Sequence, residues 1–406
     1  MKGTLVLGSV LTVAVCAGAA RAQGPLTWMG VLPGGGHGVP VALTPDGSAA
    51  AGTWTTVQGA RSAFRWTAAG MQALPSTLGG DAEAFGISAD GLTVVGYARL
   101  SLSLQHAAAW NASGAMTDLG ALSSLNWGAD ARAIASDGSI FGTTYTTQGN
   151  RAYRWTAATG MVTYPLLPGF DSAGGFRASA DGAVVVGVCE NTVANLRHAT
   201  IWVNGVPQDL GTLPGDPASA AMFVSPDGSV VVGESGAVVG NAGAPGRRAF
   251  RWTAAEGMRA LFDIPVNSIA TGVSADASLI VGGWIWTPAQ GLRDTVQVLA
   301  DYGISVPSGI AYAAAVTPDG RRLAGIGSNA GQSQGWVATL PPGLGCYANC
   351  DGSTASPILN VADFTCFLNR FAAGDSYANC DNSTTPPTLN IADFVCFLNR
   401  FAVGCP

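Results

Sequence analysis

Ser225-Pro226-Asp227-Gly228-Ser229-Val230-Val231-Val232-Gly233 is one copy of a phrase that recurs along the chain. Its form is Ser/Thr-x-Asp-Gly followed by an apolar, Val-rich run that ends in Gly. The aspartates are Asp46, Asp90, Asp137, Asp181, Asp227, Asp276 and Asp319, spaced by 44, 47, 44, 46, 49 and 43 residues. Two copies depart slightly: Asp137 has its Ser directly before it, and Asp276 is followed by Ala277 instead of Gly. A sustained period of this length marks a repeat architecture and governs every local assignment.

Working outward from Asp227, Ala220–Val224 predicts a strand into the Asp-Gly turn, and Ser229–Val232 predicts the next, with β-branched residues suited to a pleated surface. Arg248–Thr253 alternates polar and apolar, as a half-buried strand does, and Gly257-Met258 opens a fourth strand ending near Leu261. Four short strands per copy predict the blade of an all-β seven-bladed β-propeller. In the sixth copy Gly282-Gly283 leads directly to Trp284-Ile285-Trp286, which predicts a tight primed turn with φ > 0 at both glycines. Asp294-Thr295-Val296-Gln297 reads as a capped start to a short helix over 294–302, with Val296 and Leu299 on one face and Gly303 as its stop.

The ends of the repeat region predict closure. Copies two and four finish with Asp118-Leu119-Gly120-Ala121-Leu122 and Asp209-Leu210-Gly211-Thr212-Leu213-Pro214-Gly215, and Trp28-Met29-Gly30-Val31-Leu32-Pro33-Gly34 repeats that ending near the N-terminus. The seventh copy stops one strand short, at Trp336-Val337-Ala338-Thr339-Leu340. An N-terminal strand completing the last blade would leave only short, protected edges. A stacked open solenoid is the alternative.

The third strands carry His106-Ala107-Ala108-Ala109-Trp110, Arg151-Ala152-Tyr153-Arg154-Trp155, His198-Ala199-Thr200-Ile201-Trp202 and Arg248-Ala249-Phe250-Arg251-Trp252. Over residues 27–340 these phrases resemble the extracellular HAF repeat family, named for a His-Ala-Phe triplet. The resemblance implies a secreted, propeller-like domain and brings no established catalytic residues.

Composition fits an exported protein. Charged residues are 11% of 406, Gly numbers 56, and the formal net charge is −6. The chain is too apolar to be disordered, and its sparse, acidic charge argues against a nucleic-acid partner. Lys2, the uncharged run Thr4–Ala17 and Ala20-Arg21-Ala22 read as a signal peptide over 1–22, cleaved before Gln23. The run is shorter than the ~20 residues that span a bilayer. A lipidated Cys16 is disfavoured by Val15, and no transmembrane span is expected further on. The chain is therefore expected to be secreted or held at the cell surface.

Composition changes after the linker at 341–345. Six of the eight cysteines lie in the last 61 residues, and Tyr347–Gly374 recurs as Tyr377–Gly404 with 21 of 28 positions identical. Each copy is a polar loop, Asp351–Asp363 or Asp381–Asp393, and an apolar helix. Phe364, Phe367, Leu368 and Phe371 fall at helical spacing, as do Phe394, Phe397, Leu398 and Phe401. Cysteines in a small exported module predict disulfides, and six allow 15 pairings. The duplication suggests Cys350–Cys366 and Cys380–Cys396, with Cys346 and Cys405 clasping the ends. A swapped set would join the two copies. Tetrahedral zinc is disfavoured because paired Cys-x-x-Cys spacing is absent.

This duplicate at 346–406 resembles the dockerin domain, of the cysteine-bearing variety bounded by Gly345-Cys346 and Gly404-Cys405. The resemblance implies two Ca²⁺-binding loop-helix units. It maps the ligands onto Asp351, Ser353, Asn360 and Asp363, and onto Asp381, Ser383, Asn390 and Asp393. It also implies a cohesin-like or cell-surface protein partner. The matching contact positions are Val361, Ala362, Asn369 and Arg370, then Ile391, Ala392, Asn399 and Arg400. Each loop departs from the family pattern: it is one residue longer, carries Pro357 or Pro386-Pro387, and lacks the middle Asp-Gly. Two acids per loop imply weak binding. The competing reading has Asn360 and Asn390 as helix caps in a disulfide-held loop.

No catalytic constellation is visible. His106 and His198 occupy the slot filled elsewhere by Arg151 and Arg248, which reads as a structural cation. His37 sits in a Gly-rich run without an evident partner, and Cys189 reads as a small buried residue. The recurring Asp reads as a turn former. Trp66, Trp110, Trp155, Trp202, Trp252, Trp286 and Trp336 read as inter-blade core. Glu83 and Glu190 appear as isolated loop acids, without the paired carboxylates of glycoside hydrolysis. The leading expectation is a non-catalytic binding scaffold using top-face loops, with a glycan as a candidate ligand of the propeller and the tail as its attachment. A dockerin-bearing polysaccharide-active enzyme and a cell-envelope structural component are the alternatives.

Overall fold

The computed structural model describes residues 26–123, 127–236, 246–262, 269–288, 290–302, 304, 310–340, 348–351, 359–374, 378, 380 and 389–403. Residues 1–22, read above as a signal peptide, residues 341–345, read as a linker, and Gly303, Cys346, Cys405, Ser353, Asp381 and Ser383 lie outside them.

The sheets are seven, each of four antiparallel strands, and together they form a seven-bladed β-propeller. The first strands of the blades are His37–Leu43, Ala82–Ile87, Ala129–Ile134, Ser172–Ala178, Ser219–Val224, Gly272–Val273 and Ile310–Val316. Each packs against the first strand of the next blade, and the seventh packs against the first, so the ring is closed around a channel. In the fifth blade Arg248–Thr253 spans the expected residues, while the second strand runs on to Ser235.

Closure uses the N-terminal strand. Leu26–Trp28 pairs antiparallel with the third strand of blade 7, placing Leu26 opposite Ala338, Thr27 opposite Val337 and Trp28 opposite Trp336. Of the phrase Trp28–Gly34 only Trp28 takes part in this pairing; Leu26 and Thr27 precede it, and the rest forms the exit loop. Met29 follows, buried, and its N–H donates to Gly335 O at 2.9 Å. Arg322 of blade 7 also donates to Gly47 O of blade 1 at 2.9 Å.

The repeated phrase has a local and a non-local cause. Locally, the Asp carboxylate accepts the N–H two residues on: Ser48 N to Asp46 at 3.0 Å, Ala183 N to Asp181 at 3.0 Å, Ser229 N to Asp227 at 3.0 Å. The preceding hydroxyl donates to the same oxygen, as Ser225 does to Asp227 at 2.5 Å. The intervening residue is left-handed, at φ +77 for Gly228 and +55 for Ala277, a region where a Cβ is crowded. Non-locally, the Gly that ends the Val-rich run touches the neighbouring strand. A Cβ on Gly96 would lie 1.8 Å from Glu83 O, and one on Gly187 1.9 Å from Gly174 O. The same close approach occurs at Gly52, Gly142, Gly233, Gly282 and Gly325.

Two expectations need correction. The sixth-blade connection runs through Gly282, Gly283 and Trp284, with Gly282 N donating to Trp284 O at 3.0 Å, so only Gly283 has positive φ, at +87. Trp155 and Trp286 are half-buried, whereas Trp66, Trp110, Trp202, Trp252 and Trp336 are core. The indoles of Trp110, Trp202 and Trp286 nevertheless tie blades together, donating to Pro75 O, Pro165 O and Leu261 O of the preceding blade at 2.8–3.0 Å. Leu368 and Leu398 are 41% and 39% exposed, so the phenylalanines carry the tail core without them.

Helix α1 spans Thr295–Asp301, with Asp294 as N-cap accepting from Val296 N at 2.8 Å and Gln297 N at 3.3 Å. It buries Leu299 and Val298 against blade 7 residues Leu323 and Trp336, with Val296 partly buried beside them. Helices α2, Val361–Ala372, and α3, Ile391–Val403, form the tail. Their Phe367 and Phe397 rings stack with centroids 4.2 Å apart, both fully buried. Disulfides Cys350–Cys366 and Cys380–Cys396 join each loop to its own helix, so the copies are not swapped.

Candidate functional site

In each tail unit the loop asparagine starts the helix. Asn360 Oδ1 accepts from Ala362 N at 2.7 Å, and Asp363 Oδ2 accepts from Asn360 N at 2.9 Å. Asn390 and Asp393 repeat this at 2.7 and 2.8 Å. The reciprocal cap satisfies donors that a helix start leaves open. Both aspartates are fully buried. Asp363 Oδ1 also accepts from Asp351 N at 3.2 Å. Burial pushes the Asp363 carboxyl above its ordinary range, and the adjacent Asp351 carboxyl pushes it further. An acid buried at a helix start beside a second acid has the chemistry of a cation ligand.

The residues mapped to a partner surface cluster on the helices. Val361 and Ile391 open α2 and α3 and are 79% and 75% exposed. Ala362, Asn369, Ala392, Asn399 and Arg400 are also exposed, and Arg370 is half-buried.

Two of the propeller's histidines hold strands together: His106 Nδ1 lies 2.9 Å from Asp118 and His198 Nδ1 2.8 Å from Asp209, each aspartate on the fourth strand of the same blade. Arg248 instead meets Asp216, in the connection from blade 4 to blade 5, at 2.9 Å. Cys189 is buried, which raises its thiol pKa. Glu83 and Glu190 are neither isolated nor in loops. Glu83 sits on the first strand of blade 2 and pairs with Arg61 and the Tyr97 hydroxyl. Glu190 is the penultimate residue of the second strand of blade 4, 3.3 Å from Arg197. A third acid, Glu234, is buried between Arg197 at 3.4 Å and Arg247 at 2.6 Å.

The feature that sequence reasoning missed lies in the channel. The first strands of six blades carry a bulge five residues before the repeated Asp. A bulge re-aims side chains. The residues at this position around the ring are Val41, Phe85, Arg132, Phe176, Met222, Thr271 and Ala314, and Ala42, Gly86, Ala133, Arg177, Phe223, Gly272 and Ala315 follow them. Aromatic and cationic side chains thus fall in blades 2 to 5, small ones in blades 1, 6 and 7. A cavity of about 240 Å³ opens here, beside the Asp turns, and includes Phe85, Arg132, Arg177 and Phe223 in its wall. The Arg132 guanidinium stacks on Phe85 at 4.9 Å and on Phe176 at 5.3 Å, and that of Arg177 on Phe223 at 4.5 Å. The only available signal was this break in repeat consensus.

No protein-family model matches the chain, and no curated protein does. Solved structures share its path at low identity. An oligogalacturonate lyase from Vibrio parahaemolyticus is 13% identical over 79% of this chain and 94% of that one, with a TM-score of 0.49. TolB from Acinetobacter baumannii is 17% identical over 53% of this chain and 51% of that one, with a TM-score of 0.40. A prolyl endopeptidase is 10% identical over 74% of this chain and 50% of that one, with a TM-score of 0.48. This chain spans about half the length of the last two. These likenesses concern the fold, which rests on the strand pairing above.

Proposed function

We propose that this is an exported, non-catalytic binding protein: a propeller that presents a recognition face, attached to a protein partner by a calcium-loaded, dockerin-like tail. The observation that carries the attachment is the duplicated placement of a large apolar residue, Val361 or Ile391, in solvent at the start of each helix. Paired exposed apolar side chains on a rigid element are the material of an interface. Val361, Ala362, Asn369 and Arg370 form one contact surface, and Ile391, Ala392, Asn399 and Arg400 an equivalent one. Near-identity of the copies lets a partner engage either.

Calcium would suit the oxygen donors that the sequence supplies in each loop. Asp351 and Asp363 would hold one ion with Asn360 and Ser353, and Asp381, Ser383, Asn390 and Asp393 a second. Bound Ca²⁺ would supply the positive charge that the buried carboxylates lack. Asn360 serves as cap and ligand together, since its side-chain oxygen has a second lone pair.

The test is calorimetric titration of the full oxidised chain with Ca²⁺ after chelation, then partner capture from the envelope fraction with and without metal. Two sites, each weakened by Asp363→Ala or Asp393→Ala, are expected, with capture lost in Val361→Asp/Ile391→Asp. No heat at millimolar Ca²⁺ removes the metal. Release of reducing ends from a glycan panel removes the non-catalytic reading.

A further inference from the structure

The channel cavity holds a guanidinium that the fold leaves without a counter-ion. Asp130 is almost fully buried and grips Arg132 with two bonds, Nε to Oδ1 at 2.8 Å and Nη2 to Oδ2 at 3.0 Å. Asp130 also accepts the Tyr145 hydroxyl at 3.0 Å. Burial works against the Arg132 charge, but Asp130 more than offsets it and raises the pKa.

Arg177 has no such partner. Its Nη1 donates to the carbonyl oxygens of Phe176 at 2.9 Å and Arg132 at 3.3 Å. Among the described residues, its Nε and Nη2 donors meet no protein acceptor, and no acidic side chain lines the cavity. Burial, and then repulsion by Arg132, pull its pKa down to about 9, which leaves it charged at neutral pH. Asp130, Arg132 and Arg177 therefore sum to one positive charge in a cavity walled mostly by apolar side chains, with the hydroxyl residues Ser136 and Thr271 also in its lining. Arg177 is half-buried, and a guanidinium partly withdrawn from water with no carboxylate beside it gains by pairing with an anion.

We propose that the channel cavity binds a small monocarboxylate, its two oxygens on the open edge of the Arg177 guanidinium and its body against the apolar wall at Ile134, Val224 and Val273. The planar fork of Arg matches a carboxylate in geometry. One net positive charge balances a monoanion, whereas a phosphate dianion would enter half-neutralised. The cavity is smaller than the ~300–1,000 Å³ of pockets that enclose drug-sized ligands, so it admits one sugar ring or a short organic acid. The same group is found on a free acid and on a terminal uronate of a polysaccharide. This inference rests on the ring being a binding scaffold and is independent of the tail.

The experiment is calorimetry of the full chain with glucuronate and benzoate as probes, methyl glucuronate as the uncharged counterpart, and inorganic phosphate. At least one carboxylate should bind at a single site, with affinity at least tenfold lower for the ester and for phosphate. Arg177→Gln should cost a further tenfold or more, and Arg177→Lys, which keeps charge but not the fork, less. The ester comparison needs no variant, so the inference stays testable if Arg177→Gln misfolds. A uronate-terminated oligosaccharide that binds as tightly as glucuronate identifies a polymer end, and one that is excluded identifies the free acid. Equal binding of ester and acid, tighter binding of phosphate, undiminished binding by a folded Arg177→Gln chain, or no binding of either carboxylate at millimolar concentration overturns it. Calcium binding that persists through such a failure leaves the tail proposal standing.

Discussion

Removal of the N-terminal strand should open the ring. Met29 is 3% exposed and packs with Trp54, Phe64 and Trp66 of blade 1 and Val337 of blade 7, so it joins the first and last blades. Met29→Ala leaves a cavity at that seam and should cost about 2–5 kcal/mol, the usual range for a buried Met. A chain beginning at Gly30 also loses the three paired residues Leu26, Thr27 and Trp28 and the bond from Met29 N to Gly335 O. It exposes the third strand of blade 7 as an open edge, so its loss should exceed that of the point variant. The assay is urea unfolding followed by tryptophan fluorescence. With an m value of about 3 kcal/mol/M, a 3 kcal/mol loss moves the midpoint by about 1 M. A chain from Gly30 that unfolds at the unaltered midpoint, with the same slope, would refute the argument that this strand closes the ring.

The strand glycines are held by close approach, so Gly96→Ala, with its Cβ driven toward Glu83 O, should cost about 1–3 kcal/mol in the same assay; no loss would mean the strands part freely. Ala277→Gly relieves a left-handed Ala at φ +55, a gain of about 1–2 kcal/mol that the freer unfolded chain reduces by about 0.4–1 and the lost buried methyl by about 0.8, so the midpoint should move by less than about 0.3 M. The two sets of acids should respond to pH with opposite sign. The Ser48 N–H holds Asp46 below the ordinary carboxylate range and the Ser88 hydroxyl does so for Asp90, so ring stability is lost as pH falls through their lowered pKa values. Asp363 is raised by burial, so in chelator the stability of α2 should rise as pH falls from neutral through its raised pKa. Hydrogen exchange of α2 against the ring strands reads both trends, and a parallel response would contradict the assignment of Asp363. Replacing Cys350 and Cys366 together by Ala should cost about 3 kcal/mol for a loop of this length, confined to exchange in the tail.

Much of this fold is legible in the chain because its decisive chemistry is local and periodic. An Asp bonding the N–H two residues on, beside a left-handed Gly, needs no distant partner, so seven turns could be counted from seven phrases. Closure was legible because the chain stops one strand short at one end and supplies a strand at the other. The tail helices and their caps were likewise written in Asn360, Asp363 and the phenylalanine spacing. What periodicity does not encode is distance between blades. The final Gly of each phrase recurs because a carbonyl from another strand sits where its Cβ would be, a reason visible only after pairing. Glu83 and Glu190 looked solitary because Arg61 meets the first across a blade boundary and Arg197 meets the second across a hairpin. The channel site was hidden most completely. Arg132 and Arg177 lie one repeat apart, and only the bulge and the closed ring turn their side chains into one cavity, where Asp130 neutralises the first and leaves the second charged.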